Sequence, residues 1–153
     1  MPNHSRPPPI RNHLLAALPG EEYGRLLAQM ESVPLPFMEI LYEGGEPIRH
    51  VYFPDDGLIS LLIVMDEGTV REIGVIGNEG MLGAAVALGM KTATTRALIQ
   101  LPGSAMRMKA GVLRDELEMG VDRMRVLRGG EGIRPALRHL SKAFNPPRIA
   151  YFG

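Results

Sequence analysis

Two hydrophobic periods divide the chain. Leu14, Leu15 and Leu18 follow Asn12 at helical spacing and stop at Pro19-Gly20, and Tyr23, Leu26, Leu27 and Met30 repeat that spacing over residues 21–30. Apolar residues at such intervals give a helix one buried face. An Asn just before them is a natural N-cap, because its side-chain oxygen can take a free N–H of the first turn. Two short helices packed as a cap against a sheet are therefore expected. After Ser32 the pattern changes to short apolar or alternating runs over residues 33–35, 39–42, 48–53, 58–65, 70–76, 96–101 and 105–109. They are separated by turn-forming strings such as Gly44-Gly45-Glu46-Pro47, Pro54-Asp55-Asp56-Gly57 and Asp66-Glu67-Gly68. Short strands with this punctuation predict an antiparallel barrel or jelly roll, mainly β with flanking helices. Residues 81–88 break the rhythm as an inserted helix ending at Gly89, and 110–119 reads as helix again, with Val112, Leu113 and Leu117 on one face.

Composition narrows the classes. The 153 residues, 45% of them hydrophobic, suit one domain with one core. With 17 basic and 17 acidic residues the whole chain has no charge bias toward nucleic acid or membrane. The distribution is uneven: from Met119 onward seven basic residues face two acidic ones, a balance of 7 − 2 = +5, which leaves −5 on the first 118. The absence of cysteine excludes disulfides and thiolate metal sites. The proline-rich start lacks the apolar core of a signal peptide, and the run 58–65 is far shorter than the roughly 20 residues of a membrane helix. A cytoplasmic protein with no membrane contact is expected. Residues 1–11 are expected to be a disordered lead-in, 12–118 the folded domain, and 119–153 an atypical basic tail with at most a short helix over 135–144.

Candidate chemistry concentrates in one cassette. Gly74, Gly77, Gly80, Gly83 and Gly89 stud the stretch from Glu72 to Gln100, whose only basic side chains are Lys91 and Arg96. Backbone N–H groups and one guanidinium could converge there on an anion. Two plainer roles stay open: Arg96 could pair with Glu79 or Glu72, and the glycines could simply supply the positive φ angles that tight turns require. No catalytic constellation is visible. His4, His13, His50 and His139 are isolated, which argues against a cupin-type metalloenzyme, and neither Ser60 nor Ser104 lies in a nucleophile elbow. No cofactor and no metal is expected. The acid pairs Asp55-Asp56 and Asp66-Glu67 are read as turn caps, and the ten methionines as core filler.

Several strings taken together resemble the N-terminal cyclic-nucleotide-binding-like domain of the Crp/Fnr transcription regulators. They are NHLLAALP, ILYEGGEPIRHVYFPDDGLISLL, EIGVIGNEGMLG and RALIQLPGSAMRMKAGVLRDEL, spanning about residues 12–118. The resemblance implies a double-stranded β-helix, or jelly-roll, fold of the cyclic-nucleotide-binding type. It also implies a ligand cassette of a Gly-Glu pair, a short helix, and an arginine followed by a small residue. Gly83 matches the glycine, Ala84 stands where the glutamate would bind the ribose, and Arg96-Ala97 match the arginine and small residue only through a longer loop over 89–95. Gly83, Ala84, Arg96 and Ala97 are thus the expected ligand-binding residues. The expected ligand is a small anion resembling a cyclic nucleotide, with cAMP disfavoured because a methyl group cannot accept the ribose hydrogen bond. Family members continue through a dimerisation helix into a helix-turn-helix domain. Here Gly120, Gly129, Gly130, Gly132 and Pro135 fall where that helix would run, so a reading frame shifted or cut near Met119 is expected. The expected function is the signal- or ligand-sensing part of such a regulator, not an enzyme, without sequence-specific DNA binding of its own and able to form a homo-dimer or pair with an intact regulator. The alternative is a stand-alone small-ligand binder acting through protein partners. In the family, the signal alters how the cassette, 81–96, packs against the helix starting near Ala110.

Overall fold

The computed structural model describes residues 10–118. Most of the expected lead-in and all of the expected tail, 119–153, with its helix over 135–144, lie outside the described residues. The chain begins with α1 (His13–Ala16) and α2 (Gly20–Leu27), continues through β1 (Met30–Leu35), β2 (Ile40–Tyr42), β3 (His50–Pro54), β4 (Leu58–Val64) and β5 (Val70–Ile76), passes a 3-10 turn (Ala84–Leu88), and closes with β6 (Arg96–Leu101) and β7 (Gly103–Lys109). A helix, α3, follows over 110–118. Two antiparallel sheets form, one in the order β1-β7-β3 and one in the order β2-β6-β4-β5. Only Pro102 separates β6 from β7, so the chain crosses from one sheet to the other at the Pro102-Gly103 corner. This is the expected jelly-roll architecture with flanking helices.

The core draws on both sheets and the flanking elements. Val51 and Phe53 of β3, Ile59 and Leu61 of β4, Ala97 and Ile99 of β6, and Met108 of β7 join Leu15 of α1, Leu82 and Val86 of the cassette, and Leu113 of α3. Tyr23 and Leu26 of α2 pack against that cluster from one side, as the helical spacing required. Burying a side chain such as Leu15 is worth about 1.5–3 kcal/mol, so even the one-turn α1 is tied firmly to the roll.

Asn12 makes that tie specific. Its Oδ1 accepts from the N–H groups of Leu14 (3.0 Å) and Leu15 (3.2 Å), the expected N-cap. Its Nδ2 donates at 2.9 Å to the carbonyl of Pro54, at the end of β3, and at 2.9 Å to the carbonyl of Gly80, at the start of the cassette. Every hydrogen-bonding site of this fully buried amide is used, which removes the cost of burying it.

Boundaries moved where strand pairing competed with helical spacing. The second helix stops at Leu27 rather than at Met30, because Gln29 donates three residues back to Leu26 and Met30 already pairs with Met108. β1 thus runs from Met30 and includes Pro34, tolerated because β1 is the edge of its sheet. The helix expected over 81–88 shrinks to the 3-10 turn, since Leu82 is held extended by reciprocal bonds with Tyr52, at 2.8 and 3.0 Å. Asp56 caps backbone as expected, but across the roll: its Oδ1 accepts from the Ser104 N–H at 2.6 Å.

Replacing Asn12 with Ala should cost roughly 2–3 kcal/mol, from the lost cap and two buried carbonyls left without donors. Asn12→Ser, which keeps the cap but cannot reach Pro54 or Gly80, should fall between the two in urea denaturation.

Candidate functional site

The site is built on a ladder longer than β2 itself. Tyr42 pairs with Ala97, and beyond the end of β2 the pairing continues: Gly45 donates to Ala93 (2.7 Å), Ala93 to Glu46 (2.8 Å), and Ile48 to Lys91 (2.8 Å), with a bridge between Pro47 and Thr92. Gly45 and Glu46 both bond Ala93, and the Glu46 N–H donates back to the Glu43 carbonyl at 3.1 Å, so residues 43–46 form a turn, with Gly45 at φ +88, between the Tyr42–Ala97 pair and the Pro47–Thr92 bridge. Side chains alternate along a strand. Along β6 burial alternates, with Ala97 and Ile99 buried and Arg96 and Leu98 partly exposed, and Tyr42, opposite Ala97, is buried with them.

This alternation decides where the expected site residues go. Ala97 and Ala84 lie in the core cluster, and Gly83 begins the 3-10 turn. Gly83 has φ +92, and a Cβ there would stand 2.9 Å from Val51 Cγ1 and 3.4 Å from the His50 carbonyl. Glycine is therefore required twice over, by the left-handed backbone and by the close approach to β3. Arg96 lies on the opposite face of β6 from Ala97. Its Nε donates to both carboxylate oxygens of Glu43, each at 2.9 Å, so its partner is neither Glu79 nor Glu72. Glu79 instead accepts from Gly77 N–H, and Glu72 from the Ser60 hydroxyl. The structure thus brings Gly83, Ala84 and Ala97 to the core side and sets Arg96, its charge matched by Glu43, on the outer side.

Several groups were not legible as site residues. The hydroxyls of Tyr42 and Thr95 are buried and have no hydrogen-bond partner among the described residues. Burial, with a smaller contribution from nearby Tyr52, pushes the Tyr42 phenol well above its ordinary pKa, so it stays protonated. On β3, His50 is half-buried with its ring 6.4 Å from that of Tyr52, and burial together with the Arg107 charge lowers its pKa. Arg107 binds Glu31 across β1 and β7, which holds that carboxyl below the usual range. Among the described residues no group of three or more His, Asp or Glu is placed to hold a metal ion, and no helix is long and apolar enough to cross a membrane.

The Arg96–Glu43 pair, about one-third exposed, should show a coupling of only ~0.3–1 kcal/mol in a double-mutant cycle with alanine at both positions. Gly83→Ala should cost more, about 2–4 kcal/mol in urea denaturation, because strain and overpacking add.

No protein-family model and no curated protein sequence matches the chain. Solved structures share its fold. The N-terminal domain of a transcriptional regulator from Streptomyces coelicolor A3(2) aligns with a TM-score of 0.64 and 22% identity, over 87% of this chain and 87% of that one. The sensor domain of the transcriptional regulator DNR from Pseudomonas aeruginosa gives 0.64 at 19% identity, over 85% and 79%. A cyclic nucleotide-binding domain from Methylobacillus flagellatus gives 0.64 at 16% identity, over 87% and 75%. The described residues therefore form the β-roll of cyclic-nucleotide-binding and regulator sensor domains, the fold implied by the resemblance to the Crp/Fnr regulators.

Proposed function

We propose that the chain is a small-ligand-sensing effector domain of a Crp/Fnr-type transcription regulator, reaching DNA through pairing with an intact subunit and carrying out no catalysis. One arrangement supports this above others: β3 lies in hydrogen-bonded contact with both the cassette and α3. Tyr52 and Leu82 exchange backbone bonds, Gly83 rests on Val51, and the Ala110 N–H at the start of α3 donates to the Arg49 carbonyl just before β3, at 2.9 Å. A ligand that repacks the cassette around Gly83, Ala84 and Ala97 would press on β3, and β3 would pass the displacement to α3. Such coupling requires only that ligand binds one arrangement better than the other.

A second reading, a stand-alone binder acting on protein partners, draws support from exposed Val64, Val70, Ile73 and Val75 along the β4–β5 hairpin. Coexpression with a full-length relative separates the two, because only a regulator subunit yields mixed dimers on promoter DNA.

The sensing reading is tested by thermal shift against cyclic mono- and dinucleotides. A ligand at 100 times its Kd adds about 2.7 kcal/mol, a Tm rise of roughly 10 °C for a domain of this size. Nucleotide binding that left the amide exchange of α3 unchanged would contradict the proposed coupling.

A further inference from the structure

We propose that the three-stranded sheet binds a doubly charged tetrahedral oxyanion, of phosphate or sulfate type, on its solvent-facing end between His50, Arg107 and Lys109. This goes beyond the cassette reading, and none of the cassette's residues takes part. The register of the sheet brings the groups together. Glu31 of β1 stands opposite Arg107 of β7, Arg107 stands opposite Tyr52 of β3, and two residues further along β7 Lys109 stands opposite His50, with no register shift in either pairing. Side chains alternate along such regular strands, so these residues share one face, and directly opposite ones have Cβ atoms about 5 Å apart. The His50 and Tyr52 rings lie 6.4 Å apart. Leu35 and Ala105 are buried on the same face, Arg107 and His50 are half-buried, and Glu31 and Lys109 are exposed. The face thus runs from the core out to water, and its charges gather at the wet end.

Charge sets the sign of the ligand. Lys109 and Arg49, the exposed residue before His50, make no ion pair among the described residues. Glu31, and more weakly Tyr52, favour the charged form of Arg107. Burial first and then the Arg107 charge hold the His50 ring below its ordinary pKa, with smaller contributions from Lys109 and Arg49, and Glu31 is the one acid that opposes them. Three cations against one carboxylate leave 3 − 1 = +2 in a chain whose first 118 residues carry −5. A dianion matches that local balance, whereas a monocarboxylate leaves one charge over. Its arrival would also favour a second proton on His50, adding a donor to the site.

The position reaches α3. Lys109 directly precedes that helix, and the Arg49 carbonyl accepts from the Ala110 N–H at 2.9 Å. An anion bridging Lys109 and His50 would fasten β7 to β3 where α3 departs.

The test follows the His50 ring protons by NMR in the full chain from about pH 5 to 8, with sulfate against chloride at equal ionic strength. Sulfate keeps both charges throughout that range, so its own titration does not intrude. It should raise the His50 pKa, as a close opposite charge does, and acetate should do so less. Lys109→Gln should weaken sulfate binding about fivefold, and Glu31→Gln, which removes the competing carboxylate, should strengthen it by a similar factor, the scale of partly exposed charge pairs. Both positions are exposed, so both variants should keep the fold. A His50 titration that responds equally to sulfate and chloride, or acetate binding as tight as that of sulfate, would overturn the inference. So would sulfate affinity undiminished in Lys109→Gln or reduced in Glu31→Gln.

Discussion

The antiparallel pairing that sets Tyr42 opposite Ala97 governs much of what is distinctive in this molecule. Because side chains alternate along a strand, fixing Ala97 opposite Tyr42 in the core also fixes Arg96 away from it. A shift by one residue would place the guanidinium inside the roll. The register is pinned at its far end by the Gly45, Ala93 and Ile48 main-chain bonds and on its outer face by the Arg96–Glu43 pair. The ion pair adds little stability, being partly exposed, but it favours one alignment over the slipped one.

β3 has the second organising role. It meets the cassette, the N-cap of α1 and, through Arg49 just before it, the start of α3: Leu82 bonds Tyr52, Asn12 bonds the Pro54 carbonyl, and Ala110 bonds the Arg49 carbonyl. Sensing then needs no long pathway. Motion at Gly83 meets β3 directly, because a glycine without Cβ lets the two backbones approach to a distance where any displacement is felt.

Polar groups in and around the roll fall into two kinds. The Asn12 amide is satisfied at every position, and Ser60, 4% exposed, donates toward Gln100 at 2.7 Å, so these groups specify a unique packing. The hydroxyls of Tyr42 and Thr95 show the opposite condition, buried without a hydrogen-bond partner among the described residues. Natural cores concentrate such unfavourable local choices where function needs them.

Local pattern in the sequence was enough for the number, order and approximate limits of the strands, for the N-cap at Asn12 and for the jelly-roll class, because hydrophobic period and turn residues act over a few positions. It was enough to single out Gly83, whose left-handed backbone only glycine adopts readily. It was not enough to stop the second helix at Leu27, since Met30 fits helical spacing and strand pairing equally well and only the β7 ladder decides between them. Nor could it choose a partner for Arg96. Glu72 and Glu79 are nearer in the chain than Glu43, and only the pairing of two strands 53 residues apart sets Glu43 opposite the guanidinium. The unpartnered state of Tyr42 and Thr95 was likewise settled by tertiary structure alone, because whether a hydroxyl finds a partner depends on atoms that folding brings near, and sequence distance carries no information about them.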